Sequence, residues 1–229
     1  MSFPLINIDE IGSLQIAQFQ EMDYEAIKKY NIPIELMMEN AGLNLARLTA
    51  SIISKPQNIL IGIGTGNNGG GGLVAARRLL AWGYSVYLHI PNKKLKPLPQ
   101  LQLDRALAFG AIIEQHTNPD IFLDAYLGFS QRLPLSEVYT EALVTANTYN
   151  CTKISLDIPT GFNKTSGDLL LNPNIILTLA TMKTELLPII DSHQIYIADL
   201  GIPNQIYNKF GVKFPAEFNQ SGILKCYSS

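Results

Sequence analysis

The chain is poor in cysteine: among 229 residues only Cys151 and Cys226 occur, and they form no C-x-x-C pair. That excludes a disulfide framework and a thiolate-rich metal site, and it reads as two free thiols in a reducing cytoplasm. Net charge is nearly absent too. With 17 basic and 19 acidic residues the balance is -2, so no global field recruits nucleic acid or an anionic membrane. No apolar run approaches the ~18 residues of a membrane span. The opening MSFPLINIDE lacks the charged start, apolar stretch and small-residue cleavage site of a signal peptide. His89, His116 and His193 are scattered, each reading as structural or exposed, so an imidazole cluster for zinc is excluded. No G-x-S-x-G elbow and no Gly-Lys-Ser/Thr phosphate loop occurs.

What is present suits an α/β protein. At 47% hydrophobic and 16% charged the chain can bury a sizeable core, and residues 1–229 are expected to form one domain. Ser13 is placed to cap a helix through about Tyr30, with Leu14, Ala17, Met22 and Ala26 as apolar contacts. Asn31 and Pro33 interrupt it, since proline disfavours helical geometry in its predecessor. A second helix starts near Pro33, where Ile34, Met37, Met38, Ala41, Leu45, Leu48 and Ile52 recur at helical spacing.

From residue 58 strands and helices alternate. Strands are expected at Ile59–Ile63, Val86–Ile90, Ile121–Leu123, Ile154–Leu156, Ile175–Leu179 and Ile195–Ala198. Helices are expected at Gly71–Trp82, around Leu98–Phe109 and around Leu135–Tyr149, with PNKKLKPLP (Pro91–Pro99) a solvated connection. This order implies right-handed crossovers and a mainly parallel sheet covered on both faces. In such sheets ligands sit beyond the carboxyl ends of the strands.

The residues after each strand therefore carry the functional argument. After the first comes the loop Gly64-Thr65-Gly66-Asn67-Asn68-Gly69-Gly70-Gly71-Gly72 and a helix. Glycine lets backbone amides approach a ligand, and the helix terminus adds unpaired N–H groups that favour phosphate. Gly64, Gly66 and Gly69 form a G-x-G-x-x-G, the mark of a nicotinamide dehydrogenase. That fingerprint also expects an acid ~20 residues on to hold the ribose, and the second strand ends instead in His89-Ile90-Pro91-Asn92. Asp124 and Asp157 close two further strand runs, where a carboxylate can bind a cation, accept hydrogen bonds, act as a base or merely cap a turn. Asn67 and Asn68 add neutral oxygens suited to a hard cation.

These segments resemble the YjeF N-terminal domain family, the NAD(P)H-hydrate epimerases. The similar motifs are ELMMENAG (Glu35–Gly42), GTGNNGGGGLVAARRL, LDAYLGFS (Leu123–Ser130), SLDIPTGFNKTSGD (Ser155–Asp168), TLATMK (Thr178–Lys183) and IADLGIP (Ile197–Pro203), in order over about residues 13 to 210. The resemblance implies a Rossmann-like three-layer αβα sandwich, a homodimer, and one potassium ion per subunit. It implies interconversion of the R and S epimers of hydrated NADH and NADPH, which prepares damaged cofactor for a dehydratase. Because this sequence stops at Ser229, that dehydratase is expected to be a separate polypeptide. By the same resemblance Asn68, Asp124 and Thr160 fall at ion positions. Asn67, Asn68, Gly69, Gly70 and Gly71, the turn Gly128-Phe129-Ser130-Gln131-Arg132-Leu133-Pro134, and Asp157 fall at substrate positions. Epimerising a carbinol carbon needs an acid or base near the ring; Asp157 is the first choice, and Lys183 the second.

Two positions depart from the family pattern. The loop usually reads N-N-G-G-D-G, and Gly71 replaces its aspartate; a lysine that often follows the proline after the second strand is here Asn92. They motivate an alternative, a catalytically inactive nucleotide-binding or dimeric scaffold module. An ordinary nicotinamide-dependent oxidoreductase is the third reading, weakened by the missing ribose acid.

Overall fold

Short β-branched and aliphatic runs separated by helical periodicity become strands and crossover helices. The computed structural model describes residues 3–53, 57–114 and 118–228; His116 lies outside the described residues. The N-terminal part forms β1 (Leu5–Asn7), α1 (Ile8–Ile11), β2 (Ser13–Leu14), α2 (Ile16–Tyr30) and α3 (Ile34–Ile52). Then come β3 (Asn58–Ile63), α4 (Asn67–Ala81), β4 (Ser85–His89), α5 (Pro97–Ala108), β5 (Ile112–Ile113), β6 (Ile121–Ala125), α6 (Glu137–Thr148) and β7 (Thr152–Leu156). The remainder is β8 (Ile175–Leu179), β9 (Met182–Lys183), β10 (Gln194–Ala198), α7 (Asn204–Lys209), α8 (Phe218–Ser221) and β11 (Ile223–Tyr227).

One sheet of 9 strands runs β1-β11-β10-β8-β7-β6-β3-β4-β5. Its strands from β10 to β5 are parallel; β11 pairs antiparallel with β10, and β1 parallel with β11. Alternate side chains face two helical layers. Ile59 and Ile61 pack with Leu45 of α3 and Leu73 and Leu79 of α4. Leu60 and Phe122 pack against Tyr139, Leu143 and Ala146 of α6. Burial on both faces explains the continuously apolar strands, and the three-layer α/β architecture is as expected. No helix among the described residues is long and apolar enough to cross a membrane.

Three expectations need correction. Ser13 and Leu14 do not begin a helix: they form β2, which pairs in parallel with β9, and α2 starts at Ile16 behind a Gln15 capping box. The helix after β3 begins at Asn67, so most of the glycine run is helical. Glycine is a poor helix former, but close packing overrides that here. A Cβ on Gly69 would stand 1.9 Å from the Gly64 carbonyl oxygen, and one on Gly64 would stand 1.6 Å from that of Tyr126. Lastly, Pro97–Pro99 belongs to α5, whose proline-tolerant first turn it forms.

Candidate active site

Strand order reverses between β3, which continues outward to β4, and β6, which continues the other way to β7 and β8. Such a switch point opens a crevice at the carboxyl ends of the strands. A pocket of about 240 Å³ lies there. Phe19 and Asp23 of α2 and Met37 and Met38 of α3 form one wall, the start of α4 another, and Tyr126–Ser130 and Asp157 the strand-end side. A larger depression of about 740 Å³ around Asn44, Arg47 and Trp82 is more open. The smaller pocket is the chemical candidate, because buried carboxyl groups with unpartnered oxygens border it.

Asp157 follows β7 with φ of 70°, a left-handed conformation that aspartate tolerates better than most residues. Its N–H donates to the Leu177 carbonyl at 2.8 Å, and its Oδ2 accepts from the Phe129 N–H at 2.7 Å. Its Oδ1, buried, has no hydrogen-bond partner among the described residues and lies 3.7 Å from Lys183 Nζ. Gly128 makes the approach possible, since a Cβ there would stand 2.7 Å from Asp157 Oδ2 and 3.2 Å from Asn68 Oδ1.

Lys183 is wholly buried, 0% exposed. The chain turns at Ala180, φ 60°, and β9 then carries Lys183 inward along β2. Its Nζ donates to the Leu179 carbonyl and, at 3.3 Å, to that of Thr181. It also stands 3.6 Å from the centre of the Phe19 ring. Burial pushes the ammonium down to about 8, against the attraction of Asp157 and Asp23. Burial likewise raises the Asp157 carboxyl, against the pull of Lys183. Both partners thus move toward neutrality, so desolvation outweighs their mutual attraction.

Asp23 is the residue that sequence reasoning missed. It lines the pocket, and its buried Oδ1 has no partner among the described residues. Burial, reinforced by the charge of Asp157 and opposed by Lys183, pushes it up to about 6. A signal was available. Phe19, Met22 and Ala26 are the buried face of α2, and Asp23 stands four residues after Phe19, on the edge of that stripe.

Asp124, Thr160 and Ser155 form a second buried cluster. Asp124 Oδ1 accepts from Thr160 Oγ1 at 2.6 Å and the Tyr126 N–H at 3.2 Å; Oδ2 accepts from Ser155 Oγ at 2.8 Å and the Thr160 N–H at 2.9 Å. All four donors are neutral, and burial raises this carboxyl as well. Asn68, whose Nδ2 is buried without a partner among the described residues, stands across Gly128 from Asp157. These groups offer only hard oxygens and a buried carboxylate without a cationic partner among the described residues, a donor set that fits a hard cation. No cluster of three His, Cys, Asp or Glu side chains that could hold a metal occurs among the described residues. His89, half-buried, shares a 2.6 Å hydrogen bond with the hydroxyl of Tyr126, a pocket residue. His193 bonds Ser192 and Asn172 near the surface, a structural placement.

Of the remaining expected substrate positions, Asn67, Asn68, Gly71, Gly128, Phe129 and Ser130 line the pocket. Gly69 and Gly70 instead face Gly64 and Met38. Gln131 pins the turn, donating to the Pro159 carbonyl at 2.9 Å and accepting from the Gly161 N–H at 2.6 Å. Arg132, Leu133 and Pro134 are exposed and outside the pocket lining. Lys96, not singled out from sequence, lines it.

Residues 34–185 match the family described as YjeF-related protein N-terminus. The chain belongs to this family. Among its YjeF-related relatives is the NAD(P)H-hydrate epimerase of Dehalogenimonas lykanthroporepellens, 33% identical over 215 residues, covering 89% of this chain and 87% of that protein. The bifunctional NAD(P)H-hydrate repair enzyme Nnr of Thermofilum pendens is 32% identical over 170 residues; the match covers 68% of this chain and 32% of that longer protein. The crystal structure of yeast ynu0 superposes with a TM-score of 0.85 at 22% identity, over 94% of this chain and 100% of that one, showing that this YjeF-related chain shares its fold.

Proposed function

We propose that this protein is an isomerase, an epimerase that interconverts the R and S forms of hydrated NADH and NADPH. The observation that carries the reading is the Asp157–Lys183 pair: a buried carboxyl with one unpartnered oxygen, 3.7 Å from a buried ammonium, at the wall of a pocket beyond the strand ends. The names of the epimerase and bifunctional relatives support the same substrate.

Epimerisation at C6 of the hydrated nicotinamide ring needs a proton moved on and off the C6 oxygen. Asp157, its carboxyl raised above the usual carboxylate range by burial, supplies a group that can hold and release that proton. Lys183 holds its charge and orientation. Met37, Met38, Ile34 and Leu156 give the ring an apolar bed, and the exposed Asn67 at the α4 N-terminus suits the pyrophosphate. A pocket of about 240 Å³ takes a ring and its sugar rather than a whole dinucleotide. The rest of the substrate then runs outward past Lys96 and Ser130.

Asn68, Asp124 and Thr160 would hold a potassium ion, one per subunit. Bound there, it would supply a counter-charge to Asp124 and link the end of β6 to the segments after β3 and β7. A homodimer and a cytoplasmic setting belong to the same reading, the latter supported by free Cys151 and Cys226. So does a dehydratase acting on the epimer produced.

The test is conversion of one purified epimer to the other in potassium buffer, followed by chromatography. Acceleration over the spontaneous rate is expected, with loss of at least 100-fold in Asp157→Asn and a marked fall when tetramethylammonium replaces potassium. No acceleration in any cation would sink the reading. The second reading, an inactive binding module, is favoured by Gly71, where an added Cβ would stand 3.0 Å from Leu156 and which leaves the α4 side of the pocket without a carboxylate; ligand-induced stabilisation without turnover would select it.

A further inference from the structure

Asp157 alone does not complete the chemistry of an inversion. To invert a carbinol carbon, the C–O bond breaks on one face and re-forms on the other. One proton must reach the leaving oxygen, and another must be taken from incoming water. A single carboxyl fixed to one wall serves one face.

Two carboxyl groups border the pocket on different elements, Asp157 at the end of β7 and Asp23 on α2. Each has a buried Oδ1 with no hydrogen-bond partner among the described residues, and Asp157 is only 2% exposed. A buried acceptor without a donor is costly and persists where a ligand uses it. Lys183 is the ammonium felt by both. One buried ammonium with two carboxyls reaches charge balance when one carboxyl carries a proton. That is the arrangement a two-sided proton transfer requires.

We propose that Asp23 is the second acid–base group of this site, sharing one proton with Asp157 and serving the face of the substrate ring that Asp157 does not. The proposal rests on the epimerase reading. In one direction the protonated carboxyl gives its proton to the C6 hydroxyl. The C6–O bond breaks, its electron pair leaves on water, and the N1 lone pair forms a C6=N1 bond. Water then adds to the opposite face: its lone pair makes the new C6–O bond, the π pair returns to N1, and its proton passes to the ionised carboxyl. The two carboxyls end with their protonation exchanged, which is the state the reverse reaction starts from. Burial supports the role, since it brings Asp23 up to about 6, where a carboxyl gives and takes protons readily near neutrality.

The experiment compares wild type and Asp23→Asn, full chain, on one purified epimer in water enriched in oxygen-18. Wild type is expected to incorporate one solvent oxygen per inversion. Asp23→Asn is expected to lose inversion at least 100-fold yet keep exchanging the C6 oxygen with retention, because Asp157 still serves its own face. A melting curve checks the fold, and Asp23→Ser gives a second neutral variant read the same way. Inversion within threefold of wild type in either folded variant would overturn the assignment. So would inversion without solvent oxygen, or loss of inversion and exchange in equal proportion. A wild type that inverts nothing overturns the epimerase reading itself, whereas an active wild type with an equally active Asp23→Asn removes only Asp23 from the mechanism.

Discussion

Replacing Lys183 with methionine separates the electrostatic role of this side chain from its structural one. Methionine fills much the same volume and removes the ammonium. On the stability side two effects oppose each other. The depression of Lys183 from 10.5 to about 8 means that its burial costs the fold about 3 kcal/mol at neutral pH. This cost applies below pH 8 and fades as the pH rises toward 10.5; methionine removes it. Against that, the Leu179 and Thr181 carbonyls lose their donor, at about 1–3 kcal/mol for each group left buried and unpaired. The terms oppose each other, and the variant should fold with stability within about 3 kcal/mol of wild type. Nothing cancels for Asp157. An ammonium 3.7 Å from Oδ1 favours the ionised carboxyl by about 4 kcal/mol at an effective dielectric constant near 20. Without it Asp157 rises further, so the acid limb of the epimerisation pH–rate profile should move upward. At pH 7 kcat/KM should fall on the order of 100-fold and recover in part at higher pH. The assay is that profile, measured on variant and wild type at the same potassium concentration. An unmoved acid limb with retained activity would refute the claim that Lys183 sets the ionisation of Asp157.

Gly128→Ala should reduce kcat at least tenfold with only a modest loss of melting temperature, because its Cβ would press on Asp157 Oδ2 at 2.7 Å and turn the carboxyl out of position; steady-state kinetics beside a thermal melt decide it. Asp23→Asn should stabilise the protein at pH 7. The folded value of about 6 against 3.8 makes the ionised form cost about 3 kcal/mol, a cost absent below pH 3.8 and fully felt once pH passes 6. Melting midpoints should therefore rise on the order of 5–10 °C at pH 7 and converge by pH 4; a variant that melts below wild type at pH 7 contradicts this.

The parallel core was legible because its strands are short, apolar runs buried on both faces, so local sequence carries the signal. Asp124 and Asp157 were legible for a related reason: each ends such a run, and strand ends are where these sheets bind. The glycine stretch misled by its composition. Local propensity argues against a helix at Asn67–Gly72, and only the approach of α4 to Gly64, to Ala125 and to Met38 of α3 explains why one forms. Ser13–Leu14 was illegible because its partner strand, Met182–Lys183, lies far along the chain, and a two-residue strand has no period of its own. β1 escaped for the same reason, being a three-residue edge strand whose one partner, β11, lies at the other end of the chain. Asp23 was hidden by convention, since an acidic residue beside the apolar stripe of a surface helix reads as solvated. Burial becomes visible only when α2 is laid over the end of β7.

The pairing of Ser13–Leu14 with Met182–Lys183 also orders events in time. The alternating strands and helices from β3 to β8 mostly contact near neighbours, and such contacts form early on a folding pathway. The strand pair that aims Lys183, and the helix that brings Phe19 and Asp23 over it, close a loop of most of the chain, whose entropy must be met before the contact rewards it. The sheet can thus be complete while its chemistry is not. During refolding, recovery of secondary structure should precede recovery of turnover, and the interval between them measures how long the first part of the chain takes to find the part that follows β8.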